Sequence, residues 1–150
     1  MSQSLADILI HLVFSTKDRM PLIQPEIEPA LHAYMATVLR EFGSPPVIIG
    51  GTENHVHLLL GLSKTSSVAE VVEKVKKTSS KWIKTQGHGL DKFYWQAGYG
   101  AFSIGQSNKA ALVKYIAGQK EHHRRRSFQD EFRAILLKYG VSWDERYVWD

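Results

Sequence analysis

The stretch Asn54-His55-Val56-His57-Leu58-Leu59-Leu60-Gly61-Leu62 decides how the chain is read. An unbroken apolar run follows a polar turn and ends near a glycine, which is the pattern of a buried strand. Successive side chains on a strand point to opposite faces, so His55 and His57 share a face while Val56 takes the other. Their bases then lie roughly 6–7 Å apart, a spacing from which both imidazoles reach one metal ion. The competing reading of the same pair is two surface histidines, or two core histidines with satisfied hydrogen bonds.

Working outward, residues 47–51 read as a strand, and the polar turn Thr52-Glu53-Asn54 joins it to the histidine strand as a hairpin. Residues 5–15 form an earlier strand candidate. Ile8, Ile10, Leu12 and Phe14 lie on one face and Leu9, His11 and Val13 on the other, so both faces are expected to be covered. Between these strands Ile27, Leu31, Tyr34, Met35, Val38, Leu39 and Phe42 keep helical spacing. Pro29 belongs in that helix's first turn and Gly43 supplies the stop.

After the hairpin, Ser67 opens a helix reaching about Gln86, with Val68, Val71, Val72, Val75, Ser79, Trp82 and Ile83 on its apolar face. Lys74, Lys77, Lys81 and Lys84 line its opposite face, either as a solubilising surface or as a stripe that tracks phosphates. Residues 100–104 are the fourth strand, in an aromatic-rich segment whose rings mostly belong to the core. A helix capped by Ser107 follows, from Asn108 to about Lys120, then the basic run His122-His123-Arg124-Arg125-Arg126. A last helix opens at Ser127, with Asp130 and Glu131 in its first turn, where the helix dipole favours acids. The order strand, helix, strand, strand, helix, strand, then extra helices predicts an α+β, ferredoxin-like (RRM-like) fold: an antiparallel sheet with helices on one face and a C-terminal helical region. Residues 1–150 are read as one domain.

Charge is unevenly spread. The chain carries +4 overall, but residues 63–126 hold +9, while residues 1–62 carry −3 and residues 127–150 carry −2. Such asymmetry suggests a polyanion met by one part of the fold, against the plainer alternative of a solvated basic face. The absence of cysteine excludes disulfides and thiolate metal sites and fits a reducing cytoplasm. The N-terminal stretch lacks a basic leader, and its apolar run is too short to span a membrane, so a cytoplasmic location is expected.

Tyr115 and Gln119 stand four apart, as neighbours on one helix face beside Leu112 and Ile116. Alone they read as a half-buried tyrosine and its neighbour. With His55-Val56-His57 and the Gly50-Gly51 turn, they resemble the single-tyrosine HUH transposases, the TnpA-type enzymes of bacterial insertion sequences that move as single-stranded DNA. The resemblance extends to residues 12–17, to residues 95–103 and to the closing residues 138–141 and 144–149, and so covers nearly the whole chain.

That resemblance implies a set of roles. His55, His57 and Gln119 would hold one divalent metal, Mg2+ or Mn2+, although two imidazoles by themselves suggest zinc, nickel or copper. Tyr115 would attack the scissile phosphate to give a 5′-phosphotyrosine and a free 3′-hydroxyl, with the proton acceptor unnamed. A homodimer is implied, binding DNA hairpins at element ends, with sites that can be completed in trans. Charge alone nominates Lys74, Lys77, Lys81, Lys84, Arg124, Arg125 and Arg126 as DNA contacts. The alternative reading is a non-catalytic or domesticated nucleic-acid-binding module on the same fold, which predicts aromatic residues on an exposed sheet face.

Overall fold

A computed structural model describes residues 2–150. Met1, part of the stretch read as lacking a leader, lies outside the described residues. Strands β1 (Leu9–Ser15), β2 (Pro46–Thr52), β3 (His55–Gly61) and β4 (Gly100–Ile104) form one antiparallel sheet in the order β2-β3-β1-β4. This is the expected ferredoxin-like α+β arrangement. The first strand begins at Leu9 rather than at residue 5, because its ladders with β3 and β4 both end at Leu9. Leu5 and Ile8 are left exposed. Gly50 and Gly51 lie inside β2 rather than in a turn; the hairpin turns at Glu53-Asn54.

Helices α1 (Glu28–Glu41) and α2 (Val68–Ile83) cover one sheet face. Pro29 sits in the first turn of α1, where its missing N–H costs nothing. The start of α2 is a capping box: Glu70 N–H donates to Ser67 Oγ at 3.1 Å, and Ser67 N–H donates to Glu70 Oε1 at 2.9 Å. Leu31, Met35, Leu39, Val71, Val72, Val75 and Ile83 pack there on Ile10, Leu12, Phe14, Val56, Leu58 and Leu60, all buried. Phe93 and Trp95 join this core, and the Trp95 indole N–H donates to Ser79 Oγ at 3.0 Å. Tyr94 and Tyr99 of the same segment remain exposed.

The opposite face is covered by α3 (Lys109–Ala117), α4 (Gln119–His122) and α5 (Phe128–Lys138). Both faces are therefore occupied, and among the described residues there is no exposed aromatic platform of the kind that a binding module of the RNA-recognition type requires. Two helical expectations change in detail. Ser107 lies within a 3-10 turn, residues 106–108, and does not cap. The helix expected through Lys120 breaks at Gly118, so Gln119 opens α4. Ser127 caps α5 as expected, with Asp130 N–H donating to its Oγ at 3.1 Å. The closing segment docks through Trp143, Val148 and Trp149 on Phe128 and Phe132.

The sheet register brings Gly50, His57, Val13 and Gly100 into one row running across all four strands. Glycines at both ends let helices descend onto it. A Cβ on Gly50 would lie 2.5 Å from the Ile116 carbonyl oxygen of α3, and one on Gly100 would lie 2.6 Å from the Phe132 ring of α5. Gly50→Ala should therefore lift α3 from the sheet and cost about 1–3 kcal/mol, the usual penalty of overpacking. Urea unfolding followed by tryptophan fluorescence measures it, and an unchanged midpoint would show that the approach is not tight.

Candidate active site

The row through His57 is roofed by polar side chains that converge on one carboxylate. Glu131 projects from the first turn of α5 and is completely buried. His57 Nε2 and His123 Nε2 each lie 3.0 Å from its Oε1, and His55 Nε2 lies 3.6 Å from the same atom. Gln119 Nε2 donates to Oε2 at 2.9 Å, and the Tyr115 hydroxyl also donates to Oε2. Gln119 Oε1 lies 2.8 Å from His55 Nε2. The four residues expected at the site, His55, His57, Tyr115 and Gln119, thus come together within a single chain. Tyr115 is held between rings, edge-on to His57 at 5.9 Å and stacked on His122 at 4.7 Å.

Burial and proximity set the charges. Burial opposes ionisation of Glu131, but hydrogen bonds from His123 and His57 outweigh it and hold the carboxyl far below its usual range. Burial, then the neighbouring Glu131 charge, pushes the Tyr115 phenol well above its ordinary value, while Arg126 acts in the opposite direction. Burial, then the nearby His57, pushes His55 down to about 3. His11 is likewise pushed down to about 3 by burial and by His57. At neutral pH His11 and His55 are uncharged.

The donor set fits a cation. One nitrogen or oxygen each of His55, His57 and Glu131 lie within 4.8 Å of one another, a buried group that can hold a metal ion. Each histidine also has an acceptor waiting on its Nδ1 side: Asn54 Oδ1 at 2.8 Å for His55 and His11 Nε2 at 2.8 Å for His57. In this structure His57 Nε2 donates to Glu131 and His55 Nε2 donates to Gln119 Oε1. Moving each proton to Nδ1, where these acceptors wait, would bare Nε2 and give the tautomer a metal ligand needs. Two imidazoles, a carboxylate and the nearby amide oxygen of Gln119 form a mixed nitrogen and oxygen set, compatible with Mn2+ or Mg2+ as well as zinc.

Three residues of this cluster were not anticipated as site residues: Glu131, His11 and His123. Glu131 carries a legible signal. It lies three residues after Phe128 and four before Ile135, an acid on the apolar stripe of its helix. His11 interrupts the otherwise apolar face of Leu9 and Val13 in the same manner. His123 gives no such sign within its basic run. The lysine face is placed elsewhere: Lys74, Lys77 and Lys81 are exposed on α2, across the sheet from Tyr115. Lys84 is drawn over the Tyr94 ring at 4.4 Å. Arg124, Arg125 and Arg126 are exposed on the turn between α4 and α5, on the side of the site.

The four-stranded antiparallel sheet with its helices is a fold shared with a tyrosine transposase of known structure. Residues 4–119 match the model of the family described as "Transposase IS200 like", and the chain belongs to that family. No curated protein matches it. Among solved structures, the fold is similar to that of a protein of Deinococcus radiodurans R1 described as a transposase. The two share 20% identity with a TM-score of 0.64, over 79% of this chain and 98% of that one. It is also similar to a REP-associated tyrosine transposase bound to a REP hairpin, at 16% identity and a TM-score of 0.60, over 82% of this chain and 74% of that one. At these identities the structural likeness concerns the fold.

The two depressed histidines give the site a pH signature. In the unfolded chain each histidine binds a proton near pH 6.5, whereas the folded site refuses it until about pH 3. The unfolded state therefore takes up more protons in that window, and stability falls as the pH is lowered. The slope approaches about 2.7 kcal/mol per pH unit for two such groups, and His11→Gln should roughly halve it. Denaturant midpoints measured between pH 7 and pH 4 test this; an unaltered slope in the variant would exclude His11.

Proposed function

We propose that this transposase-family chain cuts and rejoins single-stranded DNA through a covalent bond to Tyr115, in a site that uses a divalent metal. One observation carries the reading: the Tyr115 hydroxyl and the His55–His57 pair meet on the same buried carboxylate, Glu131. His55, His57, Glu131 and Gln119 would hold the metal. When bound, it would supply Lewis-acid polarisation of the scissile phosphate and offset the Glu131 charge that holds the phenol neutral.

The remaining roles fall to side chains of this chain. His57 and His122 fix the Tyr115 ring from two sides, so its oxygen is positioned before substrate arrives. The Tyr115 oxygen attacks phosphorus, a new phosphorus–oxygen bond forms, and the bond to the 3′ oxygen breaks. The DNA 3′ oxygen takes a proton from water and leaves as a hydroxyl, and the 5′ phosphate remains on the tyrosine. As the new bond forms, the phenol becomes strongly acidic and Glu131 Oε2, already its hydrogen-bond acceptor, takes the proton. Attack by another 3′-hydroxyl reverses each step and rejoins the strands without an external energy source. His11 holds the His57 ring in place.

Hairpin recognition at the ends of an element belongs to the same reading, supported by the hairpin-bound relative. Arg124, Arg125 and Arg126 would meet DNA beside the tyrosine, and Lys74, Lys77, Lys81 and Lys84 would meet it on the far layer. A homodimer belongs to the same reading, pairing two DNA ends, with each site completed either within one chain or by the partner's tyrosine helix. A non-catalytic module on this fold would bind the same DNA without forming an adduct.

The deciding assay is a denaturing gel of the protein mixed with single-stranded DNA from the flanks of its own gene. A shifted covalent band is expected with Mn2+ or Mg2+, lost on chelation and lost in Tyr115→Phe. His57→Ala should abolish the band while leaving DNA binding largely intact. Metal-independent cleavage, or an adduct retained in Tyr115→Phe, would overturn the mechanism. Separately, Lys77→Ala with Lys81→Ala should flatten the salt dependence of DNA affinity by about two phosphate contacts. An unaltered slope would remove that face from the interface.

A further inference from the structure

Beside Tyr115 lies a cavity of about 420 Å³ that the cluster around Glu131 does not use. It opens between β4, α3 and α5, and Tyr115 and His11 form part of its wall. Its volume is in the range of pockets that take small organic groups. The rest of the lining has two characters. Leu112, Ile135 and the Tyr139 ring, which stacks on Phe102 at 4.8 Å, provide apolar and aromatic surface. Asn108, Ser103, Arg126 and Lys138 provide polar groups, and among the described residues none of their side chains hydrogen-bonds elsewhere in the protein. No carboxylate lines the cavity, although two cations do. An apolar slot with unengaged amide and hydroxyl groups and a cationic rim is chemically complementary to a nucleotide: a flat base, hydrogen-bonding edges and an anionic backbone.

We propose that this cavity seats the unstacked nucleobase adjoining the phosphodiester held at Tyr115. The proposal rests on the strand-transfer reading above and deepens it by naming how the strand is aligned. Leu112, Ile135 and Tyr139 sandwich the base, Asn108 and Ser103 meet its edge, and Arg126 and Lys138 hold the flanking phosphates. Because Tyr115 belongs both to the cavity wall and to the Glu131 cluster, a base seated here fixes the neighbouring phosphorus relative to the attacking oxygen. Register along a flexible single strand is thereby set by the protein as well as by a distant hairpin.

The test uses the full chain with the strand that yields the covalent band, and the same strand made abasic at the nucleotide on either side of the cleaved phosphate. Removing the base at one of the two positions should slow adduct formation about tenfold or more, the scale of one lost base stack. Ala111, on the exposed rim, offers a way to fill the cavity without disturbing the core. Ala111→Trp should slow cutting of the intact strand to a similar extent and leave the sensitive abasic strand no worse than with the unmodified protein. Tyr139→Ala should do likewise, with a thermal melt confirming that it folds. Unchanged rates for both abasic strands and for Ala111→Trp overturn the proposal while leaving the covalent mechanism intact.

If no strand gives an adduct, the mechanism fails and the cavity is judged by nuclear magnetic resonance with deoxyadenosine and thymidine monophosphates. Amide shifts confined to Asn108, Leu112 and Tyr139, and abolished in Ala111→Trp, support the pocket. No shifts at millimolar nucleotide overturn it.

Discussion

Glu131 is an anionic carboxylate with no solvent exposure, placed where α5, the α3–α4 break and β3 meet. A buried carboxylate left without donors costs many kcal/mol, so the donors reaching Glu131 from these elements together hold the roof in place. They come from Tyr115 on α3, Gln119 on α4, His57 on β3 and His123 beyond α4. Each element that roofs the sheet is therefore tied to the others through one side chain. The arrangement that stabilises the roof also brings tyrosine, amide and imidazoles within reach of one another, and fold and site share a single constraint.

Much of this was legible before any coordinates. The alternation of His55, Val56 and His57 fixes which face each side chain takes, and the period-two pattern of Leu9 to Phe14 does the same for the central strand. The antiparallel hairpin follows from the polar turn between two apolar runs. The place of Glu131 on the stripe of Phe128 and Ile135 sets it apart from Asp130, but that spacing gives only the face and not the role. Acids in a first helical turn ordinarily serve the dipole in solvent, and the role of Glu131 comes from tertiary partners that the spacing does not name. His11 was placed on its correct face, but not its role, because a partner 46 positions away supplies it.

The link between Tyr115 and Gln119 was right in outcome and wrong in mechanism. Helical spacing predicts them as neighbours on one helix, yet Gly118 ends α3 with φ −94° and ψ 18°. The path bends without losing register, because Gly118 N–H donates to the Lys114 carbonyl and His122 N–H donates to the Gly118 carbonyl. The glycines were similarly half legible. Gly50 looks like a turn residue in sequence, and only the descent of Ile116 onto it explains why a side chain is not tolerated there.

The sheet divides the molecule into two layers, with the α2 lysines on one side and Tyr115 on the other. Packed helices and sheets stand about 10 Å apart, so the two faces are separated by roughly 20 Å of protein. A nucleic acid that engages both has to travel around an edge of the sheet. On the proposed function, length would act as a ruler on substrates: a short strand would reach the tyrosine alone, and only one long enough to girdle the edge would add the charge of the far face. Under the proposed function, the shortest DNA processed at Tyr115 and the shortest gripped by both faces would be set by different dimensions.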